Sequence, residues 1–142
     1  MLTPENFDRD QGVVLTPYEF SDEQIAQATE GLPEWLPAEF KRFFKSFGDF
    51  KTPGFTLYSP LYSPQEMYFI RTGYRRFQEI DPPLTSDPAN WIPIGHYDGF
   101  SYAVYHRLDS GQVEIGSYNF ELDAYFNGPF STLEDWINSY AK

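Results

Sequence analysis

The stretch "WIPIGHYDGFSYAVYHRLDSGQVEIGSY", residues 91–118, decides the fold. In its middle Phe100, Tyr102, Val104, His106 and Leu108 alternate with Ser101, Ala103, Tyr105 and Arg107. A period of two puts these sets on opposite faces of a strand. Asp98-Gly99 separates this run from "WIPIGHY", and Asp-Gly between alternating segments is a hairpin signal. A second turn at Asp109–Gly111 leads into "QVEIGSY", a third strand, and a short fourth strand fits Leu122–Phe126. Strands joined by tight turns make an antiparallel meander.

Upstream of Trp91 the period changes to 3.6. In "FSDEQIAQATEGL" Ser21 and Gln24 have the spacing of a capping box, with Phe20 and Ile25 as its hydrophobic staple, and Gly31 and Pro33 end the helix. In "LPAEFKRFFKSFGDF", residues 36–50, Leu36, Phe40, Phe43, Phe44 and Phe47 share a helical face opposite Lys41, Arg42 and Lys45. Pro37 suits the first turn of that helix and Gly48 its stop. Because the phenylalanines oppose the bases, the helix reads as core on one side and solvent on the other. Stacking on nucleic acid would need aromatics and bases interleaved. Docking on a membrane would need an exposed apolar face and a more basic chain.

A third helix is expected in "YSPQEMYFIRTGYRRF", with Ser63 as cap, Pro64 in the first turn, Glu66 closing the box, and Met67, Ile70, Tyr74 and Phe77 as its stripe. Downstream of the meander, "FSTLEDWINSYAK" pairs Ser131 with Glu134 ahead of a stripe of Leu133, Trp136, Ile137 and Tyr140. Short strands are expected at Val13–Leu15 and Phe55–Tyr58. Helices, then a meander, then a closing helix define an α+β fold, an antiparallel sheet with helices packed on one face. No repeat or linker divides residues 1–142, so one domain is expected, with 1–15 as a loosely attached lead-in.

The composition narrows the function. The 142 residues are one-fifth aromatic and contain no cysteine. Disulfides, thiolate metal sites and cysteine nucleophiles are thereby excluded, in keeping with a cytoplasmic setting. The N-terminal residues lack the basic start and apolar run of a signal peptide. No stretch approaches the ~20 apolar residues of a membrane span. The formal charge of −11 argues against nucleic acid as a partner and makes a monomer the expected state. That charge is uneven, at −8 over residues 1–40, +5 over 41–76 and −8 over 77–142. The basic middle can face acidic neighbours within the fold, and the acidic outer segments can face a basic partner.

Motifs for catalysis are absent. His96 and His106 both lie on period-two segments, and no G-x-S-x-G, GxGxxG, GxxxxGK or H-E-x-x-H occurs. Asp22-Glu23 and Glu134-Asp135 sit in first helical turns, where acids favour the helix dipole. Glu121 and Asp123 supply too few oxygens for Ca²⁺ or Mg²⁺. No catalytic residue, metal site or cofactor is expected.

The ordered series Leu32-Pro33, Leu36-Pro37, Phe40, Phe43, Phe44, Gly48, then Ile92-Pro93-Ile94-Gly95, Asp98-Gly99, Tyr102, Val104, Gly111, Val113, Phe130 and Trp136 resembles the SUKH superfamily. That superfamily includes yeast cell-wall assembly regulators and many bacterial immunity proteins. The resemblance covers residues 20–142. It implies a SUKH-like fold without catalytic residues and a cognate protein toxin as partner, commonly a secreted nuclease. On that expectation an acidic, tyrosine-rich surface binds a basic toxin, with Asp98, Asp109, Glu114, Tyr118, Glu121 and Asp123 as candidate contacts. Tyrosine suits such a surface because it offers a large area with a polar tip. The alternative is a non-enzymatic regulatory or scaffold domain that binds proteins but no toxin.

Overall fold

The alternation that begins at Trp91 produces the centre of a seven-stranded sheet. The structure, a computed structural model, describes residues 1–142. Its strands are β1 (Val14–Pro17), β2 (Phe47–Thr52), β3 (Phe55–Leu57), β4 (Trp91–His96), β5 (Ser101–Arg107), β6 (Val113–Asn119) and β7 (Ala124–Phe130). They lie side by side in chain order and every pair is antiparallel. Four helices accompany them: α1 (Asp22–Ala28), α2 (Ala38–Phe43), α3 (Ile70–Glu79) and α4 (Leu133–Asn138).

The two faces of β5 belong to two aromatic cores. Ala103 and Tyr105 join Ile92, Ile94 and Ile115 in the main core, under Ile25 of α1, Phe40 and Phe43 of α2 and Trp136 and Ile137 of α4. Tyr102 and Val104 join Trp91, Tyr118 and Phe120 in a smaller core on the opposite face. The α+β antiparallel architecture is the expected one. Helices α1, α2 and α4 share one face as expected, whereas α3 reaches round to the other. Its first residue, Ile70, belongs to the main core, but Phe77 packs 5.3 Å from Tyr102 and 5.4 Å from Phe120. Between these two contacts Gly73 lets the helix lie close on Tyr58 of the main core, since a Cβ there would stand 2.5 Å from a ring carbon of Tyr58.

Element ends follow their hydrogen bonds. Ser21 caps α1 through the expected capping box with Gln24. α2 ends at Phe43, and the expected helical residue Phe47 opens β2 instead. Gly48 is therefore not a helix stop. It lies where β2 meets the segment after β1, and a Cβ there would come within 2.8 Å of Tyr18 Cβ. Pairing with β1 captures this segment before the helix can take another turn.

At Ser63 only the local turn forms. The backbone N–H of Ser63 donates to Glu66 Oε1 at 3.3 Å, but the helix begins at Ile70. α4 is capped by Thr132, whose hydroxyl accepts from the N–H of Asp135 at 3.1 Å, rather than by Ser131. The expected loose lead-in is fastened at two points. Phe7 is buried against Phe50, and Asn6 O accepts from the backbone N–H of Lys142 at 2.9 Å.

Candidate functional site

The strand order sends three loops to the same end of the sheet. The β2–β3 turn, the β4–β5 turn (residues 97–100) and the β6–β7 turn (residues 120–123) all lie there, while the β5–β6 turn lies at the other end. The two later turns are joined directly, because the N–H of Phe120 donates to the carbonyl of Phe100 at 3.0 Å. Asn119 ties them a second time: its Nδ2 donates to Ser101 Oγ at 3.0 Å, and its Oδ1 accepts from the N–H of Leu122 at 2.8 Å. Asp123 has a positive φ of 54°, uncommon for a residue with a side chain. The Tyr118 hydroxyl donates to its carboxylate and fixes that geometry.

From these turns the smaller core runs along one face of the sheet to its other end. Trp91 stacks flat on His106, with centroids 3.6 Å apart, and its Nε1–H donates to Asp87 Oδ1 at 3.0 Å. Burial works against the Asp87 carboxylate, yet hydrogen bonds from Thr85, Trp91 and Asn90 hold it below the usual carboxylate range. Glu114 stands 3.7 Å from His106 Nδ1. His96 stacks on Tyr102, with its Nε2–H toward the carbonyl of Gly99 at 3.3 Å. Burial raises the phenols of Tyr118 and Tyr125, and the carboxylates of Asp123 and Glu114 raise them further. Both histidines are held by ring stacking, and neither is paired with a hydroxyl that it could activate.

The structure separates the expected contact residues. Asp98, Glu121 and Asp123 lie exposed at the shared turn end. Asp109 is exposed in the β5–β6 turn, at the opposite end. Glu114 is half-buried beside His106, and Tyr118 is only 7% exposed, so its surface role is confined to holding Asp123. Sequence reasoning missed two residues at the shared end, Phe100 (46% exposed) and Leu122 (74% exposed). A leucine between two acids in a turn, "ELD", is the signal that would have marked it.

The charges sort in the same way. From residue 77 to 141 the one base is Arg107, which donates twice to Asn90 Oδ1 and lies 5.1 Å from the Trp35 ring centroid. Two bases of the middle segment cross to the first: Lys45 pairs with Asp22 at 2.8 Å and Arg71 with Glu30 at 3.4 Å. A 420 Å³ hollow between Glu30 and α3 is lined by Arg71, Tyr74 and Arg75. No helix is long and apolar enough to cross a membrane.

Fold and surface together define an α+β domain whose β4–β7 half offers exposed acids and exposed apolar side chains at one end of the sheet. The chain belongs to the SMI1 / KNR4 family (SUKH-1), whose model matches residues 19–139. No curated protein was found to match it.

Proposed function

We propose that this chain is an immunity protein that binds a basic, nuclease-type bacterial toxin in the cytoplasm and neutralises it by occupying its surface, without catalysis. Membership of the SMI1 / KNR4 (SUKH-1) family is consistent with that role. The observation that carries the reading is the charge of residues 77–142, which hold ten acids, five of them in the β4–β7 meander, while the single internal base, Arg107, is engaged by Asn90. A nuclease that holds phosphate presents a basic surface. An acidic partner is steered to that surface within about a Debye length and competes with the substrate for it. Opposite charge also suppresses wrong partners.

The test is co-expression in a sensitive host with candidate basic, nuclease-type toxins, the products of neighbouring genes first. Growth should be restored, and the two chains should elute together from a sizing column. Growth arrest that persists while the chain is abundantly expressed would refute the proposal.

A further inference from the structure

We infer that the turn end of β4–β7 is the docking surface itself, with Phe100 and Leu122 as its apolar centre and Asp98, Glu121 and Asp123 as its charged rim. This rests on the proposed basic toxin partner and specifies which side chains meet it. The partner surface that fits is a basic one with an apolar recess.

Four observations converge. Phe100 and Leu122 are large apolar side chains left open to solvent, 46% and 74% exposed, in two turns joined by the Phe120–Phe100 backbone hydrogen bond. Scattered exposed apolar residues are ordinary, but two in adjoining turns ringed by like charge form the centre-and-rim pattern of an interface. The charged side chains of these two turns are all acidic, and Arg107, the one base of this half, lies at the far end of β5.

The surface is also pre-formed. Asn119 bonds to Ser101 at the start of β5 and to Leu122 in the β6–β7 turn, Tyr118 bonds to Asp123, and the rings of Trp91 and Tyr102 pack edge-on against Phe120 beneath them. Little ordering is then needed on binding, so contact energy appears as affinity. Finally, Asp123 keeps a left-handed backbone that a glycine would adopt more easily. That choice retains a carboxylate at the rim.

The probe is the purified catalytic domain of the toxin that the wild-type chain neutralises in co-expression, titrated against the full chain by calorimetry. Leu122→Ala and Phe100→Ala should each weaken binding tenfold or more, and the double variant a hundredfold or more, with circular dichroism and Tm unchanged. Asp109→Asn, at the other end of the sheet, should stay within threefold of wild type. Raising salt from 0.1 to 0.5 M should weaken the wild-type complex at least tenfold, and Glu121→Gln should flatten that dependence. Binding within threefold of wild type for the folded double variant would overturn the surface while leaving the immunity role intact. A wild-type chain that binds no basic toxin domain would overturn both. A homodimer that Leu122→Asp splits would assign the surface to a second copy and likewise overturn the inference.

Discussion

Replacing Asp49 with asparagine should make this protein more stable at pH 7. Asp49 lies in β2 opposite Thr16, is 4% exposed, and has no hydrogen-bond partner for Oδ1. Burial raises its pKa, and the positive charge of Lys51 and the N–H of Phe50 offset that only in part. A carboxyl whose pKa is higher in the folded state favours folding in its neutral form. Its contribution is complete below the unfolded pKa and is lost as pH rises through the folded one. Above the unfolded pKa, folding must therefore either keep a proton that the unfolded chain gives up or bury a charge with one oxygen unpaired.

A buried polar atom without a partner costs roughly 1–3 kcal/mol. Asparagine still buries an amide of the same shape, so the expected gain is about 1 kcal/mol at pH 7. For a domain of this size that raises Tm by roughly 3–5 °C. Urea unfolding of both proteins from pH 3 to 8 should give curves that converge below about pH 4 and separate above it, in line with a carboxyl titration. The exposed Asp109→Asn changes net charge equally and serves as the control for relief of self-repulsion. A gap independent of pH, or a less stable Asp49→Asn at pH 7, would mean that the carboxylate is stabilised by a partner and would refute the assignment.

Phe44 is fully buried, with Phe40 and Phe43 each 5.1 Å away, so Phe44→Ala should cost about 3–5 kcal/mol in urea unfolding. Near-wild-type stability would place that side chain at the surface. Thr132→Ala should lose about 1 kcal/mol through the missing α4 cap, while Ser131→Ala should lose almost nothing. The same unfolding assay separates the two, and the opposite ranking would return the cap to Ser131.

Local signals carried much of the fold. The hairpins at Asp98–Gly99 and Asp109–Gly111, the two faces of Ser101–Arg107, the Ser21 capping box and the α4 stripe depend on neighbours only a few residues away. Gly99 and Gly111 do take positive φ, at 58° and 89°, as turn residues should. Other features depend on distant partners. Phe47 fits the helical stripe of residues 36–50 by spacing, yet pairing with β1 makes it a strand residue. The end of α2 is thus decided by a segment about thirty residues earlier, which no window around Gly48 can contain. α3 illustrates a different limit, because Met67, Ile70, Tyr74 and Phe77 share a stripe whether one core or two receive it. The cap of α4 falls one residue from its expected place, since Ser131 and Thr132 offer the same hydroxyl chemistry.

The candidate surface was legible only in part for a related reason. Asp98 can be read from sequence as a turn acid, whereas Glu121 and Asp123 are read as acids of a strand face and prove to lie in the turn before β7. Exposure of an apolar residue cannot be read so directly: Phe100 continues the alternation that buries Tyr102, and Leu122 falls within an expected strand. Tyr118 errs the other way, since tyrosine is common at interfaces but this one lies among Trp91, Phe120 and Tyr125.

The division of labour around the β6–β7 turn bears on how such a surface could acquire a partner. Tyr118, Asn119 and Phe120 point their chemistry inward, at Asp123, Ser101 and the smaller core. Glu121 and Leu122, the next two residues, are exposed and belong to neither core. A substitution at Leu122 or Glu121 therefore alters what the surface meets without opening a cavity, whereas one at Phe120 removes a ring that packs on Phe77, Trp91 and Tyr118. Surface changes of the first kind usually stay within about 0.5 kcal/mol in stability, and core losses of the second reach several. A meander with inward-anchored turns can thus vary its recognition residues while the sheet behind them stays fixed. That property suits a protein whose proposed task is to match one basic partner closely.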